Sequence, residues 1–431
     1  MNISKFQLIT LAIFIVAIIA GVIAFAMYKG TTHPNRLPPI TIWGTFPSDT
    51  FNKYVAQINS TLSDPLVIKY VEEKPANFSQ DFISALARGT GPDAILISAD
   101  RMLPHEDKIT PISYQSISQR TFVDTYIQEA NIYLSAKGIL AIPFTIDPLV
   151  MFWNRDVFDA AGVATYPRFW DEFTALNKKL TVKDQNGTIR KSAIALGDFN
   201  NVTNAREIFA SLLMQLGNPI TEADSRGVVQ STLGASDKTS PIPAIQFFSQ
   251  FVNPTNVNYS WNRSMSDSKK AFLTGTVATY FGFASELKDL RVRNPNLNFD
   301  VASLPQARSG GVKATYGKLQ GFSLVRSSPN ISSALKTVAI LTDPQYMKKL
   351  AQTLYAASPR RDVLAQGSSD QYLSIFNQSA LISKTWLDVD PSRSEQLFGD
   401  MINSFTSGEK TIFQTIKDTA DQYDIILRKT F

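Results

Sequence analysis

The chain contains no cysteine among its 431 residues. That absence excludes disulfide scaffolds, thiolate metal sites, cysteine nucleophiles and a lipid-bearing N-terminal Cys. Histidine is nearly as scarce, occurring only as His33 and His105. Most histidine-dependent hydrolases fall away, because one imidazole must act as base and His105 is the realistic candidate. Multi-histidine zinc or non-haem iron sites are out of reach for the same reason. A strong excess of one charge is lacking too. Lys and Arg number 42 against 37 Asp and Glu, and the net charge of +5 is spread in singles and pairs. Nucleic-acid binders concentrate positive charge on one face or tail, so this pattern reads as a solvated surface of mixed sign.

What is present is largely apolar. Hydrophobic residues make up 44% and charged residues 18%, enough to bury large cores, and the length fits two or three folding units. Residues 8–27 form a run of 20 interrupted only by Thr10 and Gly21. As a helix rising about 1.5 Å per residue it spans roughly 30 Å, the thickness of a bilayer core. A cleaved secretory signal has an apolar region of roughly 7–15 residues, so this run reads as an uncleaved anchor despite the cleavage-like Ala24-Phe25-Ala26. Lys5 and Lys29 flank both ends and leave its orientation undecided. Residues 30–39, with three prolines, read as an extended tether.

Beyond the tether, strand and helix patterns alternate. ITIWGTF (40–46) is a β-branched and aromatic run expected to form a buried strand. Phe51, Tyr54, Val55, Ile58 and Leu62 then share one helical face, LVIKYVE gives a second strand, and Phe78, Phe82, Ala85 and Leu86 mark a second helix stopped by Gly89. GPDAILISAD has the uninterrupted apolar centre of a strand covered on both faces. The alternation predicts α/β architecture, and no 20–50-residue repeat points to a solenoid or propeller.

Several short motifs recur in a fixed order. They are Pro92-Asp93-Ala94, Trp153-Asn154-Arg155-Asp156, Ala161-Gly162, Pro167 with Trp170-Asp171-Glu172-Phe173, Phe272 with Gly275-Thr276-Val277-Ala278-Thr279, Leu304-Pro305, and the run at 359–363. Over roughly 40–427 this order resembles the extracellular solute-binding proteins of family 1, which include the maltodextrin receptors of ABC importers. Two departures stand out. The lipid-bearing Cys is missing, and the turn that often supplies a stacking tryptophan reads Gly282-Phe283-Ala284.

The resemblance implies a two-lobed periplasmic-binding-protein-like (type II) α/β fold with a hinge, preceded here by one N-terminal transmembrane helix. The implied division is 6–28 anchor, 29–39 tether, 40–146 and 300–357 lobe 1, and 147–299 and 358–431 lobe 2. It further implies a monomeric receptor at the cell membrane with the bulk of the chain extracytoplasmic. Such a receptor captures a small solute, a carbohydrate by preference, and delivers it to an ABC permease without catalysis, metal or cofactor.

A sugar site needs aromatic platforms for CH faces and planar polar groups for hydroxyls. Positions after strands supply the candidates: Trp43 and Phe46, Asp100 with Arg101, Asp147 at the first crossing, and Asn200 and Asn201 beside Asp198 and Asn204. Trp261 is an exposed-aromatic candidate, Phe283 and Tyr316 are platform candidates, and Arg360 is a cleft or clamp candidate. Each has a structural alternative as core aromatic, turn former, helix cap or solvated charge. An anchored glycoside hydrolase would need only two placed carboxylates, and a sensory or adhesion ectodomain would share every feature above. Ser266-Asp267-Ser268-Lys269 lacks the companion motifs of a serine acyltransferase, and Gly408-Glu409-Lys410-Thr411 lacks phosphate-loop spacing.

Overall fold

The computed structural model describes residues 37–224, 228–234, 239–308, 311–388 and 390–428. Among these no helix is long and apolar enough to cross a membrane, and the expected anchor at 6–28 lies outside the described residues.

The strands, in chain order, are β1 (Ile40–Gly44), β2 (Ile68–Glu72), β3 (Ala94–Ser98), β4 (Ile109–Thr110), β5 (Leu134–Ser135), β6 (Gly138–Ile139), β7 (Ile142–Asn154) and β8 (Val182–Lys183). They continue as β9 (Ile189–Ile194), β10 (Thr221–Ala223), β11 (Val229–Ser231), β12 (Val277–Phe283), β13 (Phe299–Ser303), β14 (Thr315–Val325) and β15 (Ser383–Lys384). Most join one sheet path in the order β2-β1-β3-β14-β7-β12-β9-β8, with β13 on β7 and β4 and β15 on β14. β1 runs parallel to both β2 and β3, as the strand–helix alternation requires. All five residues of β3 are buried, which explains its unbroken apolar run. Asp93 fixes its entry: Oδ2 accepts from the Thr41 amide at 2.8 Å, while Oδ1 accepts from Ser328 Oγ at 2.6 Å and Asn330 Nδ2 at 3.1 Å.

Two separate cores divide this path into two lobes. Lobe 1 packs Ile40 to Ile146 with Leu319 to Leu364 and Ala380, and lobe 2 packs Leu149 to Tyr316 with most of the core from Leu373 to Leu427. The long antiparallel strands β7 and β14 run through both. In the lobe-1 half β14 pairs with β3, and in the lobe-2 half β7 pairs with β12 and β13. They pass the boundary side by side, Lys318 opposite Asp147 and Gly317 opposite Pro148. Asp147 is the one residue of β7 that keeps partial exposure, at the position of the break read at Asp147-Pro148.

The other two crossings fall later than expected. Val301, Ala302, Leu304, Ala314 and Tyr316 pack in lobe 2, because β13 pairs antiparallel with the lobe-2 half of β7 before the chain returns along β14. The second crossing is therefore between Tyr316 and Leu319 rather than at 300. Val363 and Leu364 remain in lobe 1, held by the Tyr126–Arg360 bridge, so the third crossing follows residue 364 rather than 357.

Candidate functional site

The parallel strands β1 and β3 end toward lobe 2, and a cavity of about 230 Å³ opens there. Thr45 follows β1, Ser98 ends β3, and Asp100 and Arg101 sit on the single 3-10 turn Ala99–Arg101. Lobe 2 answers with two helix starts. Arg206 and Glu207 come from the first turn of Ala205–Gln215, and Ser392 and Glu395 from the beginning of Pro391–Thr406. Lys318 and Gln320 reach in from β14. Larger hollows of about 460 and 620 Å³ draw all their walls from lobe 2, whereas one of about 320 Å³ is also walled by both lobes, with Glu129 and Ile132 on one side and Thr221 and Trp386 on the other.

Arg206 is the most heavily bonded side chain of the cavity. Buried in lobe 2, it donates through Nε to Ser394 Oγ at 2.9 Å, through Nη2 to Asp388 Oδ2 at 2.6 Å and through Nη1 to Glu207 Oε1 at 3.0 Å. Its guanidinium lies 4.4 Å from the centre of the Trp386 ring. Burial opposes its charge, but Asp388, Glu207 and Asp100 overcome that opposition and hold it protonated. Across the lobe boundary, Asp100 Oδ2 stands 3.8 Å from Arg206 Nη2 and accepts from Tyr316 Oη at 3.1 Å. Burial, then the Asp100 carboxylate, push the Tyr316 phenol far above its ordinary range, so it remains a donor. Asp100 Oδ1 is buried and, among the described residues, has no hydrogen-bond partner.

Of the residues proposed from sequence, Asp100 and its neighbour Arg101 line this cavity. Trp43 is half-buried within β1 against the lobe-1 core. Phe46 is a core residue rather than a platform, packed edge-on against Phe144 and clasped by Tyr70 through bonds to its own amide and carbonyl. Phe283 and Tyr316 are likewise buried, 6.0 Å apart edge to face, with Lys318 Nζ 4.3 Å from the centre of the Phe283 ring. Trp261 is fully buried, not exposed, because its indole N–H donates to Asn201 Oδ1 at 2.8 Å. Asn201 Nδ2 in turn donates to the Asn262 and Met265 carbonyls, so the pair staples two lobe-2 loops together. Asn200 Nδ2 bonds within its own loop to Asp198 Oδ1 at 2.8 Å. Arg360 grips Asp362 through two nitrogens at 3.0 and 2.7 Å on lobe 1. Asp147 accepts from the Ser285 amide at 3.0 Å and hydroxyl at 2.6 Å, and burial lifts its carboxyl to about 6 against those bonds and Lys318.

His105 is buried beside Phe82 with Nε2 3.1 Å from Ser79 Oγ, and burial lowers it to about 4. It is a neutral buried residue packed against Phe78 and Phe82 of the lobe-1 core, and it does not line the cavity. Sequence reading missed Arg206, Glu207, Ser392 and Glu395. Their signal was positional: each pair opens a helix, after Asn204 and after Asp390 respectively.

The model of the bacterial extracellular solute-binding protein family matches residues 49–348. A relative from Brucella abortus (strain 2308), named as a binding protein, is 22% identical over 319 residues, spanning 72% of each chain. Among solved structures, the sugar-binding protein MalE of Xanthomonas citri superposes with TM-score 0.72 at 15% identity, covering 91% of this chain and 98% of that one. The cyclic alpha-maltosyl-1,6-maltose binding protein of Arthrobacter globiformis gives 0.71 at 16%, covering 91% and 100%. A mannobiose complex of CpMnBP1 gives 0.68 at 20%, covering 89% and 99%. These likenesses extend over both lobes and establish the shared fold.

Proposed function

Because the chain belongs to the bacterial extracellular solute-binding proteins, we propose that it captures a carbohydrate between its lobes and hands it to an ABC import permease. The observation that carries this reading is the cavity at the carboxyl ends of β1 and β3, walled by both lobes. Open α/β sheets bind ligands at that edge, and two lobes can close around most of a small solute. Its walls offer carboxylates, guanidinium groups, an ammonium, an amide and hydroxyls, the groups that bond sugar hydroxyls. Sugars bound to proteins of the same fold support the carbohydrate assignment. The apolar run at 8–27 supports an N-terminal anchor that keeps a monomeric receptor beside its permease on the extracytoplasmic face. The reading requires no reaction, metal or cofactor.

Titration calorimetry with mono- and oligosaccharides, amino acids, peptides and polyamines tests it. Saturable binding of one saccharide family, with the sugar recovered intact, is the expected result. Binding confined to peptides or polyamines overturns the carbohydrate assignment, and recovery of cleaved sugar overturns the receptor reading.

A further inference from the structure

We propose that Glu129 is a positioning residue of the hinge, a clip behind the crossing segments whose protonation sets how readily the lobes close on a solute. This rests on the receptor reading above and adds a control to it. The cleft at the ends of β1 and β3 and the hollow of about 320 Å³ beside Glu129 are both walled by the two lobes, yet they share no residue. Trp386 stands between them. It lines the hollow, and on its ring lies the Arg206 guanidinium, which lines the cleft. The hollow is therefore at the rear of the hinge.

Both lobes grip the segment 384–387 that walls this rear hollow. Lobe 1 holds it through Glu129, whose Oε1 accepts from the Thr385 amide at 2.6 Å while Oε2 stays 3.7 Å from Lys384 Nζ, beyond hydrogen-bond length. Lobe 2 holds it through Thr221 Oγ1, which donates to the Leu387 carbonyl at 3.1 Å, and through Tyr423, whose hydroxyl accepts from the Trp386 indole at 2.9 Å. One residue further on, the Asp388 amide donates to the Asp100 carbonyl at 3.2 Å, so a shift of the segment reaches the cleft.

Glu129 is buried, so its charged form is costly where it stands. Among the described residues lining the hollow, Lys384 of β15 is the one cation, and Glu222 of β10 adds like charge. The Tyr133 phenol on Glu129's own turn is kept neutral by burial. The carboxyl accordingly titrates at about 7, within the range a cell surface meets. Ionisation favours any rotation that brings water to the carboxylate or draws Lys384 closer. Widening the rear hollow brings in water. Because hollow and cleft lie on opposite sides of the crossing segments, the same rotation narrows the cleft. The narrowed conformation binds the proton less tightly, so its population, and with it solute affinity, rises as pH climbs through about 7.

The test uses the full-length chain with spin labels at Lys53→Cys on lobe 1 and Lys288→Cys on lobe 2, with and without Glu129→Gln. Glutamine keeps an acceptor for the Thr385 amide and cannot ionise. In the absence of any solute, pulsed electron resonance from pH 5.5 to 8.5 should show the interlobe distances shifting with a midpoint near pH 7. The Glu129→Gln chain should keep the low-pH distribution throughout, which a merely structural role of Glu129 would not produce. Calorimetry with maltotetraose and mannobiose should show binding tightening about threefold or more over the same range, and no such change in Glu129→Gln. Distances that ignore pH, an equal shift in Glu129→Gln, or affinity that falls as pH rises overturn the clip while leaving the receptor reading intact. If neither saccharide binds, the solute-free distances decide the clip alone, and the receptor reading stands or falls with the wider solute panel.

Discussion

Glu129 Oε1 accepts a hydrogen bond from the Thr385 amide at 2.6 Å, and its other carboxylate oxygen lies 3.7 Å from Lys384 Nζ. A lobe-1 carboxyl thereby holds the strand β15 that pairs with the crossing strand β14. Burial raises its pKa from 4.5 to about 7, although Lys384 and the Thr385 amide pull it down. The sign follows directly. Below about pH 4.5 both folded and unfolded chains carry the proton. Between 4.5 and 7 the unfolded chain releases it first, so this group's contribution to stability is fully present at low pH and is lost as pH rises to 7. Urea unfolding of wild type and Glu129→Gln from pH 4.5 to 7.5 should show the wild type losing up to about 3 kcal/mol relative to the variant. Parallel pH profiles would contradict the burial of an ionisable Glu129.

At the crossing itself the limiting factor is space. A Cβ on Gly317 would stand 2.5 Å from Ser383 Cβ and 2.8 Å from Ile146 Cδ1, where two chain passages are packed together. Gly317→Ala should cost about 1–3 kcal/mol by overpacking. Adding Ser383→Gly should recover part of that loss in denaturant titrations, and no recovery would place the strain elsewhere.

Trp261 invites a different expectation. With its indole N–H spent on Asn201 inside lobe 2, Trp261→Phe should lower unfolding free energy by about 1–3 kcal/mol, from a lost bond and the unpaired Asn201 oxygen. Saccharide affinity measured by calorimetry should stay within twofold of wild type. A tenfold loss of affinity in a stable variant would return Trp261 to the binding site.

Arg206→Ala should be far more damaging. Removing the cation leaves Asp388 and Asp100 buried and uncompensated, a loss of about 3–5 kcal/mol. Arg206→Lys keeps the charge but not the planar fork that meets Ser394, Asp388 and Glu207 together, so it should fall between. A near-neutral Arg206→Ala in thermal unfolding would contradict the network.

The architecture was legible because its signals are local. The run at 40–46 and the apolar stretch after Pro92 became β1 and β3, and the break at Asp147-Pro148 falls at the one partly exposed point of β7. The later crossings were misplaced because β13 and the segment through Leu364 choose their lobe by strand pairing and a bridge to Tyr126, which no local pattern encodes. The site was harder still. Phe46, Phe283 and Tyr316 follow or begin strands as platforms would, yet their neighbours turn them into the cores. Arg206 looks like an ordinary helix-start residue until folding brings Asp388, 182 positions away, to its guanidinium.

The absence of cysteine makes lobe motion directly measurable. Lys53 on lobe 1 and Lys288 on lobe 2 are exposed, so Lys53→Cys with Lys288→Cys gives two unique sites for spin labels. Pulsed electron resonance should show an interlobe distance distribution that shifts saturably when a saccharide from the binding panel is added, and the shift should be lost in Asp100→Asn. A distribution unchanged by a saccharide that demonstrably binds would contradict capture between the lobes.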